Sequence, residues 1–279
     1  MNRLLILLIV INAVPFCSGQ TRQYLWLAGS VPERSIITEI APPAGYERTP
    51  VESGSFGDWL RHLPLKPAGS SVHLYDGTLK LDQSVHHAVV DMDIGSEDIQ
   101  QCADAVLRLR AEYLYSVGNY DAIRFQFTSG DISSFTRWAS GMRPVVKNGN
   151  EVTWRRSAGA DSSYTNFRRY LKNLFYWAGS YSLSRELRAK TDVRQMRIGD
   201  VFIRGGFPGH VVIVTDMARH PQTGEIVFML AQSYMPAQDI HVLKNPNEPG
   251  LSPWYALPRT GRLITPEYYF NVHDLKSFE

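Results

Sequence analysis

Cys102, His210 and Gln232 are the residues of this 279-residue chain whose types and spacing point to covalent chemistry. A thiol attacks a carbonyl as its thiolate, and a helix N-terminus or a neighbouring imidazole favours that form. Cys102 follows a helix-start signature. His210 opens the run His210-Val211-Val212-Ile213-Val214, directly behind the tight stretch Gly205-Gly206-Phe207-Pro208-Gly209. A third group must orient the imidazole. Asp216 would share a strand face with His210, but six residues of extended chain separate the two by roughly 20 Å. A hairpin folded about Pro221 instead brings Gln232 opposite His210, with Phe228 and Leu230 alternating so that Gln232 keeps the same face. Ser233 then points the other way. The plainer alternatives are a buried Cys packed as a small hydrophobe and a strand-end His bonded to a carbonyl.

The compartment sharpens the question about the thiol. Residues 1–19 read as a secretory signal peptide: a basic start at Arg3, an apolar run from Leu4 to Val14, and small residues at Ser18 and Gly19. That run is too short to span a bilayer, for which about 20 residues are needed. Cleavage near Gly19 removes Cys17, and a lipid anchor on Cys17 is the alternative, though bulky Phe16 precedes it. Cys102 is then left without a partner in its own chain, in an exported, periplasmic or extracellular setting that oxidises thiols. Loss of Arg3 lowers the net charge from +2 to +1, which gives no basic field for nucleic acid. No further apolar run reaches membrane length after the leader. The other histidines make no zinc spacing with the single mature cysteine: His86 and His87 point to opposite faces, His220 sits in a turn and His241 alternates with apolar residues. Neither a metal nor an organic cofactor is called for.

These residues need a helix and a sheet to position them. Asp98 caps a helix with Gln101 three residues on, and Ile99, Ala103, Val106, Leu109, Tyr113 and Leu114 recur at helical spacing. Asp104, Arg108 and Glu112 form an i, i+4 row on it, read as solvated or ion-paired. Ser162 to Trp177 reads as a second helix, whose Tyr164, Phe167, Tyr170, Leu171, Phe175 and Tyr176 mark core or a groove wall. Trp138 and Trp154 fall in loops that could line a cleft. Strands are expected at Val72–Tyr75 paired with Val85–Met92, at Ile123–Phe127, and in a C-terminal meander of Asp200–Ile203, His210–Thr215, Ile226–Gln232 and Ile240–Leu243. Helices beside an antiparallel sheet make an α+β fold. Residues 20–70, rich in Pro and Gly, read as an N-terminal wrapping segment before a domain over 71–279.

The order of Cys on a helix, then Met196-Arg197-Ile198-Gly199-Asp200-Val201-Phe202-Ile203, then Gly209-His210-Val211-Val212-Ile213-Val214, then a hairpin ending in a polar residue, resembles the papain-like cell-wall hydrolases of the NlpC type and their amidase relatives. The resemblance implies a papain-like helix packed on a small antiparallel sheet, with Cys102 as nucleophile, His210 as base and Gln232 as orienter. The Cys102 backbone N–H, with the Gln101 side chain as a second donor, would then hold the oxyanion. The chain departs from that pattern in carrying Gln101-Cys102-Ala103-Asp104 where those enzymes carry Asp-Cys-Ser-Gly. Its His follows the Cys by 108 positions, a longer interval that an aromatic helical insertion at about 121–193 accommodates. The chain, especially Asp98 to Leu114, also resembles an exported bacterial family known as a domain of unknown function (4846). The expected activity is an exported cysteine hydrolase cleaving an amide bond in cell-wall (peptidoglycan) peptide. The alternatives are a non-catalytic protein binding wall glycan or peptide on the same frame, and an acyl or amide transferase using the same residues.

Overall fold

Apolar residues on both sides of three consecutive strands organise the molecule, because each side must be covered by a separate layer. The computed structural model describes residues 24–148, 150–258 and 261–278. The expected leader and Cys17 lie outside them. Helices α1 (Ile36–Glu39) and α2 (Phe56–Arg61) flank strand β1 (Glu47–Arg48), and β2 (His86–Val89) leads to α3 (Cys102–Ser116). A hairpin of β3 (Arg124–Gln126) and β4 (Ile132–Ser134), helix α4 (Phe135–Ala139), a hairpin of β5 (Met142–Lys147) and β6 (Glu151–Arg156), and helices α5 (Tyr164–Trp177) and α6 (Ser180–Glu186) follow. The C-terminal part adds β7 (Arg188–Ala189), β8 (Val201–Arg204), β9 (His210–Arg219), β10 (Ile226–Gln232), β11 (His241–Leu243), β12 (Trp254–Ala256), the hairpin β13 (Arg262–Ile264) and β14 (Tyr269–Asn271), and β15 (Leu275–Ser277).

The main sheet runs β2-β11-β10-β9-β8-β15-β7, with β1 on β9 and β12 on β10, and its pairs are antiparallel. The fold is α+β. Val201, Ile203, Val211, Ile213, Ala218, Val227, Met229 and Ala231 face a helical layer containing α2, α3 and α5. Phe202, Val212, Val214, Met217, Phe228 and Leu230 face a second core closed by Tyr255, Leu263, Phe270 and Leu275. The N-terminal residues do more than wrap this body. Ile36, Trp59, Leu60 and Leu63 are buried in the first core, and β1 pairs with the far end of β9.

Several expected elements differ. Val72–Tyr75 does not pair with Val85–Met92; Leu74 instead forms an isolated bridge to Gln238, while β2 pairs with β11, so a long-range partner replaces the local hairpin. Trp138 is buried in α4 and Trp154 lies in strand β6, so neither is a loop residue. The aromatic helix is mainly core, with Phe167, Tyr170 and Leu171 buried and Tyr176 exposed. The row on α3 is buried, and of its three members Arg108 and Glu112 are ion-paired. Asp104, Arg108 and Glu112 are buried, and Arg108 reaches Asp93 (2.8 Å) and Gln100 (2.7 Å), while Glu112 accepts from Tyr164 (2.9 Å) on α5. Packing of α5 over this face of α3 excludes the water that the i, i+4 pattern suggested. Among the described residues, no helix is long and apolar enough to cross a membrane.

Candidate functional site

Helix α3 begins later than its sequence suggests, and the delay moves Cys102 to its first residue. The N-cap is Gln101, whose backbone N–H donates to Asp104 Oδ2 (3.1 Å). Asp98 lies ahead of the helix: its Oδ1 accepts from the Gln101 side-chain amide (3.0 Å) and from the Ala237 N–H (2.6 Å). It therefore ties the start of α3 to the loop after β10. Cys102, the free cysteine of the described residues, is half-buried.

The hairpin that carries His210 and Gln232 is offset from the simple fold about Pro221. Met229 pairs with Asp216 but Leu230 pairs with Val214, so Thr215 is an extra residue in β9. Ala231 pairs with Ile213, which sets Gln232 beside Val212 rather than directly across from His210. Because that offset is two residues, Gln232 keeps the face of His210. Their side chains meet diagonally, His210 Nε2 lying 2.8 Å from Gln232 Oε1. The same bulge turns Asp216 to the opposite face, where it pairs with Arg48 and Arg61 instead of sharing a face with His210. Ser233 points away as expected, its hydroxyl donating to Gln238 O (2.8 Å).

The orientation of the Gln232 amide follows from its other partners. Its Nε2 donates to Glu267 Oε2 (2.7 Å), and Glu267 Oε1 pairs with Lys80 Nζ (2.5 Å). Oε1 must then face the imidazole and accept from it, so His210 carries its proton on Nε2 and keeps a basic lone pair on Nδ1. Tyr234 and Tyr268 enclose the ring, with centroids 4.7 and 5.1 Å away, and Phe270 stacks at 5.9 Å. Burial pushes the imidazole down to about 4, with the Lys80 charge acting the same way and the Gln232 bond opposing it.

The sheet opens at the point where the helix and the hairpin meet. The β9–β10 ladder ends at the Ile213–Ala231 pair, while Gln232 stays paired with His241 of β11 on the other edge of β10. Cys102 lies near the backbone of Val211, the residue after His210 in the chain, whose N–H favours the thiolate. Tyr234, packed on the His210 ring, also lies within the electrostatic reach of Cys102. The structure therefore joins His210 to Gln232 and places Cys102 near Val211, the residue after His210, while no hydrogen bond among the described residues links the Cys102 thiol to the His210 ring. The loop that delivers His210 needs its glycines: a Cβ on Gly209 would lie 2.6 Å from Arg204 O, and one on Gly205 would lie 2.6 Å from Ser184 Cβ.

The thiol is not lowered by its helix N-terminus. Burial pushes Cys102 up to about 11, the nearby Asp104 adds to the rise, and the N–H groups of Ala103, Val211 and Cys102 itself oppose it without prevailing. Asp104 is itself buried and held well above the usual carboxyl range. At neutral pH the site therefore holds a thiol and a neutral imidazole, not a thiolate–imidazolium pair. With the thiol pKa raised, the thiolate fraction climbs through the whole neutral and mildly alkaline range. Iodoacetamide should accordingly label Cys102 about tenfold faster for each pH unit from about pH 7 to about pH 10. A plateau of the labelling rate already present near neutrality would contradict this protonation state.

Lys80, Tyr234, Glu267 and Tyr268 escape sequence reasoning because they come from turns and short segments with no periodic pattern. Among the described residues, no group of three or more His, Cys, Asp or Glu could hold a metal ion. His241 is buried, with Nδ1 2.8 Å from Asp239 O, and His86 Nε2 lies 3.0 Å from Ser70 O.

A family model described as a domain of unknown function (4846) matches residues 36–277, from the first helix to the last strand of the fold. The chain belongs to this family. The match takes in the N-terminal residues that pack under the sheet as well as Cys102, His210 and Gln232, so the site lies within the family domain. No curated protein and no solved structure matches the chain.

Proposed function

We propose that this family member is an exported cysteine hydrolase of papain-like architecture that cleaves an amide bond in cell-wall peptide. The observation that carries this reading is the His210–Gln232 bond of 2.8 Å, formed one residue from Val211, whose N–H lies near the Cys102 thiol. His210 Nδ1 takes the thiol proton as Sγ attacks the carbonyl carbon. The Cys102 N–H, left without an intrahelical acceptor at the first turn, and the Gln101 amide stabilise the oxyanion. The imidazolium then protonates the leaving amine, and a thioester remains on Cys102. Water, deprotonated by His210, releases the acid. If an amine resolves the thioester instead, the same residues perform a transfer.

Purified cell wall incubated with the protein should release fragments bearing new amino and carboxyl ends, and Cys102→Ala should release none. Equal release by both proteins would end the hydrolase reading. The raised thiol pKa favours a second reading, a non-catalytic protein that binds wall peptide or glycan. It is supported if wild type and Cys102→Ala bind the wall equally and neither cleaves it.

A further inference from the structure

Arg204 is the cross-strand partner of His210 in the β8–β9 ladder, so their side chains leave the sheet on the same face with Cβ atoms about 5 Å apart. The Arg204 guanidinium lies over the rings of Tyr268 (5.9 Å) and Tyr269 (5.2 Å), and Tyr268 is itself packed on His210. Arg262 approaches the ring of Tyr269 at 5.4 Å. Tyr269 is 47% exposed, so this stack opens to solvent beside the imidazole.

The charges at this mouth are not balanced. Lys80, the other cation near His210, is neutralised by Glu267. The His210 ring is neutral at physiological pH. The Tyr269 hydroxyl acts most strongly on Arg204, followed by Tyr268, while Asp274 acts from a distance and spends its Oδ2 on the Asn271 N–H (2.7 Å). Among the described residues, neither Arg204 nor Arg262 makes an ion pair with a carboxylate. A planar guanidinium held by aromatic stacking, one strand position from the base and without a carboxylate, is arranged for bidentate recognition of a carboxylate brought by something else.

We propose that Arg204 is a specificity residue that receives a free carboxylate of the substrate, so that the amide presented to Cys102 belongs to an anionic peptide. This rests on the hydrolase reading above, but its main test does not require turnover. Cys102 is alkylated with iodoacetate and with iodoacetamide, which transfer anionic and neutral groups of nearly the same size and lose iodide in both cases. The ratio of the two rates is compared with that for N-acetylcysteine. In the wild type the ratio should exceed the free-thiol ratio several-fold. Arg204→Gln should bring it down about five- to tenfold by slowing iodoacetate far more than iodoacetamide, and Arg204→Lys should retain part of it.

A wild-type ratio no higher than that of N-acetylcysteine would overturn the proposal. So would an Arg204→Gln effect equal for both reagents, since that would mean the residue only packs the two tyrosines. A second comparison uses purified wall whose carboxyl groups have been converted to amides. Cleavage should fall on the amidated wall, and Arg204→Gln should narrow the difference. Absence of cleavage on both walls with an intact alkylation preference would fault the hydrolase reading and leave the anion site standing.

Discussion

On the proposed hydrolase function, His210→Ala is expected to lower the rate of wall cleavage about a thousandfold while leaving the protein folded. The size of the effect follows from the protonation state of the site. With Cys102 pushed up to about 11, very little thiolate exists at neutral pH, so nearly all productive attack requires a base to remove the proton as the sulfur adds. His210, held down to about 4, is available as that base throughout the range above about pH 5. The variant should therefore regain activity as pH rises toward the thiol pKa, whereas the wild type should depend far less on pH. Gln232→Ala removes the bond that fixes the ring and its tautomer, together with the bond to Glu267, and about ten- to a hundredfold is expected. Activity measured against pH for the three proteins checks both the order and the convergence. Parallel pH profiles for wild type and His210→Ala would show that the imidazole is not the base.

The second large effect concerns stability. Asp216 is fully buried and accepts from Arg48 Nε (2.7 Å), Arg61 Nε (2.6 Å) and the Met217 N–H (2.8 Å). The two guanidiniums also reach main-chain carbonyls of the N-terminal segment, Arg48 at Ile40 and Arg61 at Thr49. One carboxylate thus bridges two cations that fasten the first helices to β9. Removing it strands both charges in a site with little access to water. Asp216→Ala should cost about 3–5 kcal/mol, a large part of the 5–15 kcal/mol typical of a folded domain. Urea denaturation at neutral pH measures it. The exposed Asp192–Arg194 pair serves as control, and breaking it should change stability by less than about 1 kcal/mol. A loss below about 1 kcal/mol for Asp216→Ala would mean that the arginines find other partners or reach solvent.

Much of the secondary structure was legible because apolar periodicity is a local signal. Ile226–Gln232 forms its strand within the expected bounds, and Tyr164–Trp177 lies within the span anticipated for the aromatic helix. The beginning of α3 was less legible. Asp98 and Gln101 have the capping-box spacing, but Asp98 is drawn to the Ala237 N–H, and the helix starts at Cys102. A competing long-range bond cannot be read from spacing alone.

The site divides in the same way. Sequence alone singled out one cysteine, one strand-end histidine and the face on which Gln232 would meet it, since alternation along a strand survives a two-residue change of register. Only the tertiary structure decided the rest. The bulge at Thr215 turned Asp216 away from His210, and the turn between β13 and β14 supplied Glu267, which holds the Gln232 amide in its working orientation. Desolvation then reversed the sign expected for Cys102. A helix N-terminus acts through a few nearby N–H groups that the sequence reveals, whereas the cost of burying a charge depends on every atom packed around it.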